Sequence, residues 1–133
     1  MTDAILDNFR NGMVIPAMPL ALNERRVFQP RYQRAMARYY IDAGAGGVAV
    51  GVHSTQFEIR EPEIGLFEPV LRQTAEFIDE WSFKRGRAIM KVGGICGKTP
   101  QALREAEFEC SLGYDAGLLS LAAMREASID EML

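Results

Sequence analysis

The sequence predicts an α/β fold with a parallel sheet, on three observations. Four short apolar runs recur along the 133 residues, and each is followed by a segment with helical spacing. The run GGVAVGV has no alternation, which is typical of a parallel strand covered on both faces. Alternating strands and helices of this kind form right-handed βαβ units. The chain has four strand–helix units in its 133 residues, about half of the roughly 250 residues that a (β/α)8 barrel uses. We predict a single domain over residues 1–133, without an internal boundary.

The first half of the chain predicts two strands with a helix between them. The run MVIPAMPLAL (13–22) contains two prolines, so its strand should be short and irregular. A helix is predicted over 30–43, and Gly44 is well placed to end it. Its predicted apolar face contains Tyr32, Ala35, Met36, Tyr39 and Ala43. The run GGVAVGV (46–52) is the second predicted strand.

The next strand–helix unit follows an acidic stretch, EIREPEIGLFE (58–68), which is predicted to be exposed. A helix should begin near Pro69 and reach about Phe83. Its predicted buried stripe consists of Val70, Leu71, Thr74, Phe77, Ile78 and Trp81. The run AIMKV (88–92) is the third predicted strand.

Capping and turn residues predict the boundaries of the remaining helices and of the fourth strand. Thr99 is predicted to be an N-cap, with Pro100 at the first helical position, where a missing N–H is tolerated. That helix should stop at Gly113. The run AGLLSLAA (116–123) is the fourth predicted strand, and SIDE (128–131) predicts the start of another helix.

The stretch GGICGKTP (93–100) raises the question of a phosphate-binding loop. A Walker A loop needs Gly, four residues and then Gly-Lys-Ser/Thr, and here Val92 stands where the first glycine is required. Pro100 also removes a backbone N–H near the helix start that would face the phosphates. The favoured interpretation is a strand-to-helix turn in which glycines permit tight backbone geometry.

Composition excludes several classes of function. A net charge of −3 and a pI near 5.2 argue against nucleic-acid binding, which needs clustered basic residues. Cys96 and Cys110 have no metal-like or redox spacing, so a reduced compartment is expected. No signal peptide and no apolar run of roughly 18 residues is recognisable, so a cytoplasmic protein without membrane contact is predicted. Neither a cofactor nor a metal is predicted.

Four segments in order resemble the dihydrodipicolinate synthase and N-acetylneuraminate lyase family. They are GMVIPAMPLAL, RYYIDAGAGGVAVGVHSTQFE, AIMKVGGICGKTPQAL and GYDAGLLSL, and the resemblance runs from about residue 12 to 133. It implies a (β/α)8 TIM barrel with only about the first four βα units in this chain. It also implies a pyruvate-dependent, Schiff-base (class I) aldolase, lyase or dehydratase that forms homo-oligomers and takes an aldehyde or sugar acid as its other substrate.

The resemblance also implies where the reacting groups lie. The family's Schiff-base lysine is on the sixth strand and a proton-moving tyrosine is on the fifth, so both should lie beyond residue 133. The chain alone is therefore expected to be inactive. In place of the family's frequent paired tyrosines after the fourth strand, this chain has Ala123-Met124-Arg125. This departure favours a relative with another aldehyde or sugar-acid substrate.

The family's Gly-Thr-Thr-Gly-Glu motif, which binds the pyruvate carboxylate, aligns with Val52-His53-Ser54-Thr55-Gln56. Without gaps, His53 replaces the first threonine, a member of the proton relay, and Ser54 replaces the second, a carboxylate ligand. A shift by one residue would place Ser54 and Thr55 on the two threonines instead. The resemblance thus implies His53 and Ser54 as catalytic residues and Ser54 and Thr55 as substrate-binding residues.

The residues themselves allow more than one interpretation. His53, the only histidine, follows a strand's carboxyl end, where it could transfer protons or serve only to hold its loop. Ser54 and Thr55 could bind a carboxylate or cap the loop. Lys91 could be a Schiff-base nucleophile, or it could pair with a carboxylate. Cys96 could line the cleft, and a Cys–His nucleophile would have to use His53.

A rival hypothesis from another class is a small open parallel sheet that acts as a binding or signalling module. Its strand ends would need an acidic pocket or a phosphate loop, whereas here they carry His53, Gly93 and Ala122. A half barrel would leave its first and fourth strands as open edges. The isolated chain is therefore expected to be unstable or oligomeric.

Overall fold

Three regular strands form one parallel sheet in the computed structural model, which describes residues 1–132. They are β1 (Gly47–Val50), β2 (Met90–Ile95) and β3 (Ala116–Leu119), in that spatial order. The helices are α1 (Asp3–Arg10), α2 (Pro30–Asp42), α3 (Phe67–Arg85), α4 (Thr99–Ser111) and α5 (Ile129–Met132). The alternating order of the predicted strands and helices is confirmed, and α1 is an addition that the sequence analysis did not predict.

The extended segment 13–22 supplies a fourth position in the sheet, beside β1. Ala17 forms a parallel bridge with Ala49, whose N–H donates to the carbonyl of Pro16 at 3.0 Å. Pro16 and Pro19 have no N–H to donate, so the described segment pairs at isolated points and not as a regular strand. We call residues 13–22 the edge segment; its irregularity is the predicted one.

The buried face of α2 differs from the prediction. Tyr32 and Tyr39 are 59% and 69% exposed, so the predicted apolar face is wrong except for Met36, which is partly buried against the core. The helix buries Gln33, Ala37 and Ile41. The apolar pattern missed this face because one of its three residues is polar: the buried Gln33 Oε1 accepts a hydrogen bond from the N–H of Ala21 at 2.9 Å. In α3, by contrast, the predicted stripe is confirmed for Val70, Leu71, Thr74 and Ile78, which are buried.

The strand-to-helix turn predicted for GGICGKTP is present, but only one of its three glycines makes it. Gly93 and Gly94 belong to β2, which runs to Ile95 and not only to residue 92. A Cβ on Gly94 would lie 2.3 Å from the carbonyl oxygen of Gly51, so the residue permits two backbones to approach closely. The turn itself is made at Gly97, whose φ of +85° favours glycine.

Two predicted boundaries were also wrong. Lys98 is the N-cap of α4, without a side-chain capping bond, and Thr99 is already helical. β3 ends at Leu119, because the chain then turns into a 3₁₀ helix, Leu121–Met124, which begins with the Ser120 hydroxyl accepting from the N–H of Ala122. Because Thr99 is helical, Pro100 is the second helical residue and not the first, still within the first turn, where a missing N–H is tolerated.

The helices α2, α3 and α4 cover the same face of the sheet. Val48 and Val50 of β1 lie in the main core with residues of α2 and α3. Lys91, the register partner of Val48, forms an ion pair with α3. Gly93, the register partner of Val50, faces Glu109 of α4. Residues paired in register point to one side, so all three helices lie on that side.

The opposite face of the sheet carries Ala49, Val92 and Leu118 and has no helix of its own among residues 1–132. Leu118 is 58% exposed there. In a (β/α)8 barrel, helices cover only the outer face of the sheet, because the inner face closes on itself and its side chains pack together. An open sheet of the rival hypothesis would have helices on both faces. The described residues thus form part of a barrel, and the assignment of 1–133 to one domain stays a prediction.

Candidate functional site

The carboxyl ends of the strands meet around a cavity of about 470 Å³. Its polar lining comes from three strand ends: His53 and Ser54 after β1, Cys96 after β2 and Ser120 after β3. Apolar side chains, including Phe57 and Leu118, form most of the rest. Parallel strands bring these ends to one edge of the sheet, which is the edge that carries active sites in barrels of this type.

His53 lies at the mouth of this cavity on a short 3₁₀ turn, His53–Thr55. Its ring contacts Phe57 edge-on, with centroids 6.0 Å apart and an interplanar angle of 70°. The imidazole is otherwise exposed to solvent. An exposed imidazole at a cavity mouth can reach a bound molecule and can exchange protons with water.

Ser54 and Thr55 are adjacent but differ in what their hydroxyls can contact. Ser54 is half-buried and lines the cavity. Thr55 is fully buried; its Oγ1 accepts from the N–H of Gly51 at 3.0 Å and donates to the carbonyl of Met18 at 2.7 Å. The Thr55 hydroxyl therefore joins the end of β1 to the edge segment and does not line the cavity.

Gln56 has an unusual backbone conformation directly after these residues. Its φ is +76°, in the left-handed region that favours glycine, and it separates the turn His53–Thr55 from a second 3₁₀ turn, Phe57–Arg60. Such a conformation costs on the order of 1 kcal/mol or more for a residue with a side chain. The surrounding contacts must hold it, so the shape of this loop is strongly determined.

Cys96 lies on the far side of the same cavity. Burial raises the pKa of its thiol, and the neighbouring Arg60 only partly opposes this effect. A raised pKa disfavours the thiolate that a Cys–His nucleophile requires. The backbone N–H of Cys96 donates to Glu105 Oε2 at 2.9 Å. In a phosphate-binding loop this N–H would have to face the phosphate, but here a carboxylate already accepts it.

Lys91 lies away from the cavity, on the helix-covered face of β2. Its buried Nζ is 2.6 and 2.7 Å from the two carboxylate oxygens of Asp79 on α3. Of the two interpretations of this lysine, the pairing with a carboxylate is the one that the structure contains. An amine held in this way has no access to the strand ends.

Sequence reasoning missed a buried polar cluster directly beneath the cavity. Arg60 donates to the carbonyls of Gly51 (3.0 Å) and Gly94 (2.6 Å), the residues where β1 and β2 lead into the cavity. Its Nε lies 3.0 Å from Oε1 of Glu105, which is also buried. The available signal was the spacing of Glu105 and Glu109, four residues apart on one face of α4.

Two kinds of feature are not found in the part of the chain that the structure describes. Among residues 1–132, no group of three His, Cys, Asp or Glu side chains could hold a metal ion. Over the same residues, no helix has the length and apolar character required to cross a membrane.

Comparison with known proteins gives structural similarity only. No family model matches the sequence, and no curated protein matches it. The fold is similar to that of a protein from Pseudomonas aeruginosa described provisionally as a dihydrodipicolinate synthetase, with a TM-score of 0.64 and 17% identity over 79% of this chain. It is also similar to dihydrodipicolinate synthase from Aquifex aeolicus, with a TM-score of 0.60 and 16% identity over 80% of this chain. In both cases the match spans 33% of the other protein.

Proposed function

We propose that this chain is the amino-terminal part of a Schiff-base (class I) aldolase, lyase or dehydratase of the dihydrodipicolinate synthase type, acting on pyruvate or a related 2-oxo acid. The observation that carries the proposal is the cavity at the strand ends, lined by His53 and Ser54, in a fold similar to two such proteins. The proposed nucleophilic lysine lies outside this chain, and the pairing of Lys91 with Asp79 on the opposite side of β2 supports this part of the proposal.

Ser54 is the proposed contact to the substrate carboxylate, and His53 is the proposed proton carrier. In either register of the family motif Ser54 replaces a threonine, and Ser54 lines the cavity. The left-handed φ of Gln56 supports the shifted register, in which Gln56 replaces the motif's second glycine and His53 its first. In that register the proposed role of His53 rests on its place in the cavity lining. Thr55 then replaces the second threonine; because its bonded hydroxyl does not line the cavity, its proposed part in binding is to hold the loop that carries Ser54 in shape.

The remaining parts of the proposal concern substrate and assembly. The loop after β3, with Ala123, Met124 and Arg125 in place of paired tyrosines, favours an aldehyde or sugar-acid partner other than that of dihydrodipicolinate synthesis. The exposed edge of β3 supports self-association into a homo-oligomer. The cytoplasmic location stays a prediction.

Trapping with borohydride tests the chemistry. The full-length protein that contains this chain is incubated with pyruvate and sodium borohydride, and the modified peptide is identified by mass spectrometry. We expect one adduct, on a lysine outside residues 1–133, because borohydride links pyruvate to the protein only where a Schiff base has formed. Lys84, Lys91 and Lys98, the lysines of this chain, should stay unmodified. An adduct on any of these three lysines, or none on any lysine of the protein, contradicts the proposal.

Substitutions in the same protein test the residue roles. Ser54→Ala and His53→Ala should each lower kcat/KM at least about tenfold, as expected for loss of a positioned hydrogen bond or proton carrier. Ser111→Ala, at the far end of α4, is the matched control and should leave kcat/KM unchanged. Unaltered kinetics in both site variants would remove these residues from the proposed site.

A further inference from the structure

The buried cluster beneath the cavity works as a clamp on two strand ends. We call Arg60, Glu105 and the carbonyls of Gly51 and Gly94 the Arg60 clamp. The guanidinium joins the ends of β1 and β2 through these carbonyls, and it stacks on the ring of Phe67 at 4.4 Å from the centroid. The cavity-lining residues follow immediately in both strands. The position of Arg60 therefore affects the shape of the cavity.

Glu105 supplies the single negative charge that the clamp needs. Its carboxylate accepts from Arg60 Nε at 3.0 and 3.1 Å, from the Cys96 N–H at 2.9 Å and from Gln101 Nε2 at 2.8 Å. Both side chains of the ion pair are buried. One buried cation is thus paired with one buried anion. An additional unpaired charge would be strongly unfavourable at this site, because it would be removed from water without a partner.

Glu109 brings a second carboxyl group to the same place, one turn further along α4. It is only 2% exposed, and its Oε1 has no hydrogen-bond partner. It lies directly against the backbone of β2, where a Cβ on Gly93 would be 2.0 Å from Oε2. An ionised carboxylate in this position would be buried without a counter-ion of its own, which is strongly unfavourable.

Lys91, two residues before Gly93 on the same face of β2, is paired with Asp79 of α3. The other titratable groups around Glu109 lie on α4, in the loop after β1, at the end of β2 and before β3. They are Glu105 on α4, Arg60 from the loop after β1, Cys96 at the end of β2 and Tyr114 before β3. Arg60 is the only cation of this set, and it is already bonded to Glu105. Burial, with the added repulsion of Glu105, raises the pKa of Glu109 to about 8.

We propose that Glu109 carries a proton in the folded protein at neutral pH and that loss of this proton opens the Arg60 clamp. The ionised carboxylate would place a second negative charge beside Glu105 and draw Arg60 away from the carbonyls of Gly51 and Gly94. Alkaline pH would thereby loosen the two strand ends that line the cavity. The cluster is a proton-controlled device in the fold, and it does not depend on the reaction proposed above.

The sign of the effect on stability follows from proton binding. The carboxyl ionises near its ordinary pKa of 4.5 in the unfolded chain and at about 8 in the folded protein. Between these values the folded state holds one more proton than the unfolded state. The free energy of unfolding should therefore fall as pH rises from about 4.5 to about 8, and it should gain nothing more from Glu109 below that range.

Urea unfolding between pH 5 and pH 9 tests the proposal with Glu109→Gln. Glutamine keeps the neutral shape of the protonated side chain, so the variant should lose most of the decline in urea midpoint that the unaltered chain shows. Glu107→Gln, at an exposed position of the same helix, is the matched control and should decline like the unaltered chain. A parallel decline in Glu109→Gln would overturn the proposal.

A measurement on the unaltered chain covers the case in which Glu109→Gln does not fold. The side-chain carboxyl ¹³C shift of Glu109 and the Nε resonance of Arg60 are followed by NMR as pH is raised. We expect both to change with one midpoint near the pKa of about 8. A Glu109 carboxyl that titrates near 4.5, or an Arg60 resonance that does not follow it, would overturn the proposal.

Discussion

The two outer strands of the regular sheet, β1 and β3, pair with the same central strand but differ in burial. β1 is buried along its whole length, whereas three of the four residues of β3 are exposed. Both form parallel ladders with β2 over four residue pairs. β1 also has the edge segment on its other side and lies in the main core with residues of α2 and α3, while β3 packs against α4. Backbone pairing alone thus does not bury a strand, because burial needs neighbours on both edges and on the face.

The largest difference between the two regions should appear on truncation of a leucine. Leu71, fully buried on α3 against the β1 region, should lose about 2 to 5 kcal/mol of unfolding free energy in Leu71→Ala. The same change at the exposed Leu118 of β3 should alter it by about 0.5 kcal/mol or less. Urea denaturation of both variants gives the comparison. Equal losses would mean that β3 is as well packed as β1.

An added methyl group should distinguish the regions by a smaller amount. Gly94→Ala would force Cβ against the backbone of Gly51, which cannot move aside, and should destabilise the chain by about 1 to 3 kcal/mol. Gly117→Ala, on β3, meets the movable Cδ1 end of Ile95 and should be tolerated better. Thermal melts of the two variants measure the difference. If Gly117→Ala destabilises the chain more than Gly94→Ala does, β3 is packed more rigidly than the contact between β1 and β2.

The smallest expected effect on stability is that of a charge on the open edge. Leu119→Lys, at an exposed position of β3, should change unfolding free energy little but should weaken self-association, because a lysine on an edge strand opposes strand addition. Leu103→Lys, at an exposed position of α4, is the control. Analytical size exclusion over a range of concentrations reports the difference. A chain that is monomeric before substitution would remove the proposed edge-to-edge contact.

Elements of the fold could be predicted wherever one local rule decided them. The prolines of the edge segment, Pro100 at the start of α4 and the apolar stripe of α3 act within a few residues, and their consequences are seen in the structure. The face of α2 could not be predicted, because Gln33 is buried by a partner twelve residues away in the chain. Gly93 and Gly94 likewise looked like turn residues. Their lack of a side chain instead lets Glu109 lie against Gly93 and the backbone of Gly51 lie against Gly94.

The candidate site divides in the same way. Its location at the strand ends and the lining residues His53, Ser54 and Cys96 follow from the order of strands and loops. The buried hydroxyl bonds of Thr55 do not follow from that order, because Gly51 and Met18 are brought to it by sheet pairing.

Local sequence patterns were sufficient to predict the order of strands and helices, the open edges of the sheet and the position of the only histidine at a strand end. These features depend on the spacing of apolar residues and on the backbone geometry of proline and glycine. Contacts between distant segments decided which polar side chains are buried. Arg60, Glu105 and Glu109 look like surface residues in a charged sequence, and only the approach of α4 to the ends of β1 and β2 removes them from water. A charged group is stable there only when folding supplies its partner, and a partner that lies more than forty residues away cannot be recognised from neighbouring residues.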